Sequence, residues 1–262
     1  MGKILVILSS CGQLQLQDGK THETGFFLNE FGVPARRLAD EGYQLVLANP
    51  QGNVPPMDPS SDDDSFFDKD AGKHAAIKSF VQELLGKSPP RPFREILSGG
   101  LDQFDGLFVP GGHAPMIDLF QDRELGQILR HFHERKKPTA LICHGPAALL
   151  STLPDPAAFA AALERDEEIP EQRDWPYLGY SMTVLSNIEE KLGESKFPAK
   201  MRFYAETALK KAGARMDVAM IPMQSHVVKH EELVTGQNPK SDDALAQAFL
   251  SMLALRTATA RR

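Results

Sequence analysis

Short apolar runs alternate along this chain with amphipathic stretches, and the alternation sets the expected architecture. Residues 3–8, KILVIL, form a continuous apolar run of strand length. It is too short for a signal peptide core with its cleavage site and far too short to cross a bilayer, so a buried first strand is expected. Apolar spacing predicts a helix over 31–41, with Gly42 where a helix C-terminus favours glycine. A second strand is expected at 44–48, a helix at 71–85 and a short strand at 107–110 that ends in Gly111-Gly112. A helix follows at 125–135, then a strand at 139–143 that runs straight into a helix from 145. This order argues for an α/β chain with a mostly parallel central sheet covered by helices on both faces.

Two stretches interrupt the alternation. Residues 49–70 are rich in Pro, Gly, Asp and Ser and read as a long loop. Residues 153–180 carry Pro154, Pro156, Pro170 and Pro176 among many charges, and read either as a lid over a site or as a surface excursion. Beyond them the pattern predicts a helix over 200–212, a strand at 216–221 and a last strand at 232–236. Ser241 is the expected cap of a final helix to about 255, with Asp242 and Asp243 in its first turn. No internal repeat or low-complexity tract is present, so one domain over 1–262 with insertions near 49–70 and 153–180 is expected.

Composition narrows the function classes. With 262 residues, 42% apolar and 24% charged, the chain can bury a substantial core. The net charge is -6, no extended basic stripe occurs, and the Arg261-Arg262 pair is small, so nucleic acid is not expected as a partner. Two cysteines, Cys11 and Cys143, argue for reduced thiols in a cytoplasmic setting rather than a disulfide framework. No segment reaches membrane-spanning length, so no membrane partner is expected.

The strongest chemical signal is the run ALICHGPAA at 140–148. A strand that turns into a helix through Cys143 makes a nucleophile elbow, with the sulfur at the carboxyl end of the sheet where open α/β folds bind ligands. The following helix N-terminus is expected to favour thiolate over thiol. Gly111-Gly112-His113 follows the neighbouring strand, and its backbone N–H groups together with that of His144 suit an oxyanion hole; His113 reads as a wall of the binding pocket. Glu30, flanked by Phe and Leu at the start of the first helix, is expected to be partly desolvated with a raised pKa suited to proton transfer, or else to be an ordinary helix-end acid. Glu189 and Glu190 are both placed to orient His144, and an exposed helical position remains open for either. Cys11 follows a strand without an elbow and reads as structural.

These pieces, with TGF at 24–26 leading to Glu30 and VTGQNPKS at 234–241, resemble the ThiJ/PfpI superfamily within the class I glutamine amidotransferase-like fold, and most closely its heat-shock chaperone and glyoxalase III branch. The resemblance implies a flavodoxin-like three-layer sandwich, and a homodimer. It implies Cys143 as nucleophile, His144 as its partner, Glu30 as the acid or base beside the thiol, and Glu190 as the residue that orients the histidine, with Glu189 as the fallback. Gly112 and His113 would line the substrate and oxyanion site. The implied reaction is a glutathione-independent lyase step that turns a small reactive carbonyl, methylglyoxal or a related 2-oxoaldehyde, into a 2-hydroxy acid, with no metal and no other cofactor. A stress-response holding chaperone, a redox sensor built on Cys143 and, last, a cysteine peptidase or amidase are the competing readings.

Overall fold

Ile4 and Val6 of β1 (Lys3–Ile7) belong to one buried apolar cluster, and Leu5 and Ile7 to another. A strand covered on both faces needs this period of two. The structure, a computed structural model, describes residues 2–260; Met1 and the Arg261-Arg262 pair lie outside the described residues. After β1 come β2 (Gln13–Gln15), β3 (Thr21–Glu23), α1 (Leu28–Asp40), β4 (Gln44–Asn49), α2 (Ala71–Lys87), β5 (Arg91–Pro92), α3 (Phe93–Ser98), β6 (Gly106–Val109), α4 (Arg123–Glu134) and β7 (Thr139–Ile142). The second half adds α5 (Pro156–Glu164), β8 (Ser181–Met182), α6 (Asn187–Glu194), α7 (Ala205–Ala212), β9 (Arg215–Met216), β10 (Val227–His230), β11 (Leu233–Gly236) and α8 (Asp242–Ala260).

The central sheet has seven strands in the order β10-β11-β7-β6-β1-β4-β5. Every neighbouring pair is parallel except β10 and β11, which form an antiparallel hairpin. Phe31 of α1, Ile77 of α2 and Phe249 of α8 pack on one face; Phe93 of α3, Ile128 of α4, Phe159 of α5 and Leu209 of α7 pack on the other. The architecture is therefore an α/β three-layer sandwich. The chain winds outward in opposite senses from β1, so the carboxyl ends of β1, β6 and β7 border the switch point where such sheets bind ligands.

Several elements differ from the sequence reading. The stretch 153–180 is a surface excursion only in its middle, where residues 165–174 are mostly exposed and irregular. It holds α5, and Trp175, Tyr177 and Tyr180 are buried in the core. The Trp175 indole N–H donates to the Leu149 carbonyl and the Thr152 hydroxyl at 3.2 and 3.0 Å, which fastens the stretch behind the elbow. Asp155 caps α5 and Pro156 opens it, so prolines read as breakers include a helix start. The segment after Cys143 is a buried 3-10 helix, Gly145–Thr152, whose Ser151 and Thr152 hydroxyls donate back to Ala148 and Leu149 carbonyls. Of 216–221 only Met216 is in a strand, in the two-residue β8–β9 ladder; Met220 and Ile221 are apolar but exposed. The helix expected over 200–212 starts only at Ala205. The 49–70 stretch is a loop with two short 3-10 turns, Pro59–Ser61 and Asp64–Phe67. The hairpin β2–β3, the strand β10 that pairs with the expected last strand, and the helix α6 had no counterpart in the periodicity.

Candidate active site

β7 ends at Ile142, and Cys143 takes φ of +57°, a left-handed conformation costing a non-glycine residue about 1–2 kcal/mol. Neighbouring chain holds it there. The Cys143 N–H donates to the Gly236 carbonyl at 2.9 Å, and the Leu185 N–H donates to the Cys143 carbonyl at 3.1 Å. Strain confined to one residue in this way is a recurrent mark of a functional turn.

The elbow brings three groups into line. Cys143 Sγ lies 3.4 Å from His144 Nδ1, and His144 Nε2 lies 2.5 Å from Glu190 Oε2. The second oxygen of Glu190 meets His113 Nε2 at 2.9 Å. One carboxylate thus serves two imidazoles, whose rings stack with centroids 4.2 Å apart. His144 and Glu190 are buried, whereas His113 is partly open and touches Phe197, which in turn stacks on His22. The bond between His113 and Glu190 is a contact that no local pattern in the sequence signals.

Glu30 approaches from the opposite side as the third residue of α1 and is fully buried. Its Oε2 accepts a hydrogen bond from the Gly112 N–H at 3.1 Å, while Oε1 has no hydrogen-bond partner among the described residues. Pro34 lacks the N–H that would bond the Glu30 carbonyl in a regular helix. The turn after β6 is fitted to this meeting. A Cβ on Gly111 would lie 2.3 Å from Glu30 Oε2 and 2.5 Å from Cys143 Cβ. Gly112 has φ of +86°, and a Cβ there would lie 2.0 Å from the Gly25 carbonyl oxygen.

Electrostatics assigns resting protonation states. Burial raises the Glu30 pKa to about 8, although its contact with Cys143 and the Gly112 N–H pull the other way. Burial, then the Glu30 charge, pushes the Cys143 thiol well above its usual range. This corrects the expectation of a thiolate: the elbow is closed off from water and faces a carboxyl group, and those effects outweigh the following 3-10 turn. Burial and the neighbouring His113 lower the His144 pKa, so the ring rests neutral and can accept a proton. Burial would raise Glu190, but His144 and His113 hold it far below the usual carboxylate range. Burial opposes charge on His113 too, yet the Glu190 carboxylate raises its pKa.

Glu189 does a different job. It closes a capping box with Ser186 and accepts from Gln237 Nε2 at 2.9 Å, Asn238 Nδ2 at 2.8 Å and the Met223 N–H at 2.7 Å. Asn29, next to Glu30, donates to the Pro239 carbonyl at 2.8 Å and to Asp242 at 2.9 Å. The 235–242 segment therefore grips the residues beside both active-site glutamates. Its TGQNP run carried that signal, but as a motif rather than as a support. Cys11 lies beside Asp118, and burial and that carboxylate raise its pKa to about 11, which leaves an unreactive thiol. Among the described residues, the ligand atoms of His113, His144 and Glu190 lie within 4.8 Å of one another and could hold a metal ion. No helix among the described residues is long and apolar enough to cross a membrane.

Comparison with known proteins identifies relatives of this chain. The chain is 26% identical to the protein/nucleic acid deglycase HchA of Pseudomonas aeruginosa over 97% of its own length and 80% of that protein's. It is 23% identical to the protein of the same name from Staphylococcus aureus, over 94% and 77%. That name corrects the expectation that excluded nucleic acid, because for those relatives nucleic acid is a named object of action. Glyoxalase III from Candida albicans shares the fold, with a TM-score of 0.65, 21% identity and coverage of 96% of this chain and 97% of that one. The DJ-1/PfpI family model matches residues 22–153, half of the chain and the part that contributes Glu30, Gly112, His113, Cys143 and His144, and the chain belongs to that family.

Proposed function

We propose that this protein is a cofactor-independent enzyme that converts a 2-oxoaldehyde such as methylglyoxal to the 2-hydroxy acid through a covalent bond to Cys143. The observation that carries the reading is a fully buried carboxyl group, Glu30, set beside the elbow thiol of Cys143, whose other neighbour is the His144 imidazole. Such a site supplies an acid and a base on opposite sides of one nucleophile, which simple acyl transfer does not require.

The steps balance with these groups alone. Cys143 sulfur attacks the aldehyde carbon, its proton passes to His144, and Glu30 gives its proton to the aldehyde oxygen, forming a hemithioacetal. Glu30, now a carboxylate, removes the hydrogen from that carbon while His144 protonates the adjacent ketone oxygen, giving an enediol. Glu30 returns the proton to the neighbouring carbon and His144 takes the one on the first hydroxyl, leaving a thioester. Glu30 then accepts a proton from the attacking water, and His144 returns its proton to the departing sulfur. Glu190 stays ionised throughout and stabilises each imidazolium. The His144 N–H at the elbow is the donor for the developing oxyanion, while the Gly112 N–H holds the Glu30 carboxyl that acts beside it.

The relatives' names extend the substrate range under this proposal. A carbonyl adduct on a protein or nucleic-acid amine presents the same carbon to sulfur, so the substrate class is a reactive carbonyl, free or as such an adduct. The test is D-lactate production from methylglyoxal without glutathione, with wild type, Cys143→Ala and Glu30→Gln. Turnover confined to wild type supports the reading; equal turnover in Cys143→Ala overturns it.

A further inference from the structure

We propose that His113, His144 and Glu190 form a binding site for a zinc-like divalent cation, and that the ion switches the Cys143 centre off. Two imidazoles point their Nε2 atoms at the two oxygens of one carboxylate, at 2.9 and 2.5 Å, and the ligand atoms of the three residues all lie within 4.8 Å of one another. Two histidines and a carboxylate with a fourth position left for water is a donor set that suits Zn2+ at N and O distances of about 2.0–2.2 Å. The present spacings are those of shared protons, so an ion replaces those protons and needs the ligands to part by roughly half an ångström. His113 is the partly exposed member and gives the ion its way in. His22 and Phe197 flank that entrance, and the Asp58 carboxylate acts on both His22 and His113 through its charge.

The consequence for chemistry follows from the second nitrogen of His144. Its Nδ1 faces Cys143 Sγ at 3.4 Å. In the metal-free site Nε2 carries the proton toward Glu190, and the Nδ1 lone pair is open to the thiol proton. With an ion on Nε2, a neutral imidazole must carry its proton on Nδ1. The ring then donates to sulfur and cannot accept from it. The ion thus removes the base, so catalysis stops while the sulfur itself stays off the metal. The catalytic half of this inference rests on the proposed function; the binding half does not.

The binding half is tested first, on the full chain freed of metal. Titration with Zn2+ against a chromophoric chelator should show one site in wild type and in Cys143→Ala. Affinity should fall by about 100-fold or more in His113→Gln and in Glu190→Gln, given that even outer-shell losses weaken metal sites about 10–100-fold. Co2+ in place of Zn2+ should give visible d–d bands with no sulfur-to-metal charge-transfer band. Absence of binding, equal binding by His113→Gln, or a charge-transfer band that vanishes in Cys143→Ala would each overturn the site. For the switch, Zn2+ should abolish wild-type turnover reversibly while Cys143 can still be alkylated by iodoacetamide. Blocked alkylation would mean that the ion sits on sulfur, and the switch as described is then wrong. If wild type shows no turnover of methylglyoxal at all, the proposed function fails, and the binding and alkylation results still decide the metal site.

Discussion

Glu189 and Glu190 are consecutive residues in the first turn of α6, and their carboxylates serve different ends of the same construction. Glu190 meets His144 and His113, while Glu189 is held by Gln237, Asn238 and the Met223 N–H. Both are buried, so neither is the exposed helical acid that composition alone favours. The helix makes this division because neighbouring residues point about a quarter-turn apart, one toward the elbow and one toward the 235–242 segment.

The two positions should separate stability from chemistry. Glu189→Gln removes charge-assisted hydrogen bonds and should lower stability by about 2 kcal/mol. Its turnover, measured well below the new midpoint, should stay near wild type. Glu190→Gln should lose roughly 10²–10⁴-fold in turnover at the same temperature, because it leaves the imidazolium without its counter-charge. Thermal unfolding and initial rates on both variants check this, and a reversal of the two phenotypes would reverse the assignment.

Glu30 should make the folded protein less stable in alkaline solution. The folded chain keeps the Glu30 proton up to about pH 8, whereas the ordinary value is 4.5. The folded state therefore binds more protons between those limits, and stability falls as pH rises through that window. The burial of this carboxyl costs nothing below pH 4.5 and a few kcal/mol above pH 8, by the conversion of about 1.4 kcal/mol for each pH unit. Glu30→Gln keeps the shape without the ionisation. It should match wild type in denaturant midpoint at low pH and exceed it at pH 9. A variant that is less stable than wild type at pH 9 would remove the physical basis for a neutral Glu30.

Much of this was legible in the sequence. The parallel core strands stand out because both faces are buried, which gives continuous apolar runs such as that of β1. The elbow was legible because a strand, one cysteine, a glycine and a proline are adjacent in the chain. The supports were not legible, because they join residues far apart in sequence: Glu189 to Asn238 spans 49 positions and His113 to Glu190 spans 77. Ser186 with Glu189 is the one support that shows locally, as a capping box of Ser and Glu three residues apart. The thiolate expectation failed because a turn's dipole can be read locally, whereas burial of the thiol and its meeting with Glu30 depend on the whole fold.

Gly112 should tolerate no side chain. Its φ of +86° and the 2.0 Å approach of a Cβ to the Gly25 carbonyl oxygen act together, and the blocking atom is backbone. Gly112→Ala should lose on the order of 3 kcal/mol and displace the N–H that Glu30 accepts from. Gly19 is the control: φ is +68°, but nothing lies within 4 Å of its Cβ position. Gly19→Ala should lose only about 1 kcal/mol. Equal losses at the two sites in urea unfolding would show that conformation alone, not the close approach, decides Gly112.

The pH dependence of kcat/KM tests the assigned protonation states directly. The proposed first step needs a neutral His144 and a protonated Glu30 in the free enzyme. Burial and His113 place the His144 pKa below the ordinary imidazole value of 6.5, so the acid limb should fall below that pH. The basic limb should lie near pH 8, where Glu30 loses its proton. That limb belongs to the coupled pair of Glu30 and Cys143, since Glu30 raises the thiol pKa while the contact with the thiol lowers that of Glu30. In Glu30→Gln the residual rate should lose the limb near pH 8 and instead rise with pH as the thiol ionises. A wild-type rate that climbs steadily through pH 8 would mean that sulfur reacts from a pre-formed thiolate and that Glu30 is not the proton donor.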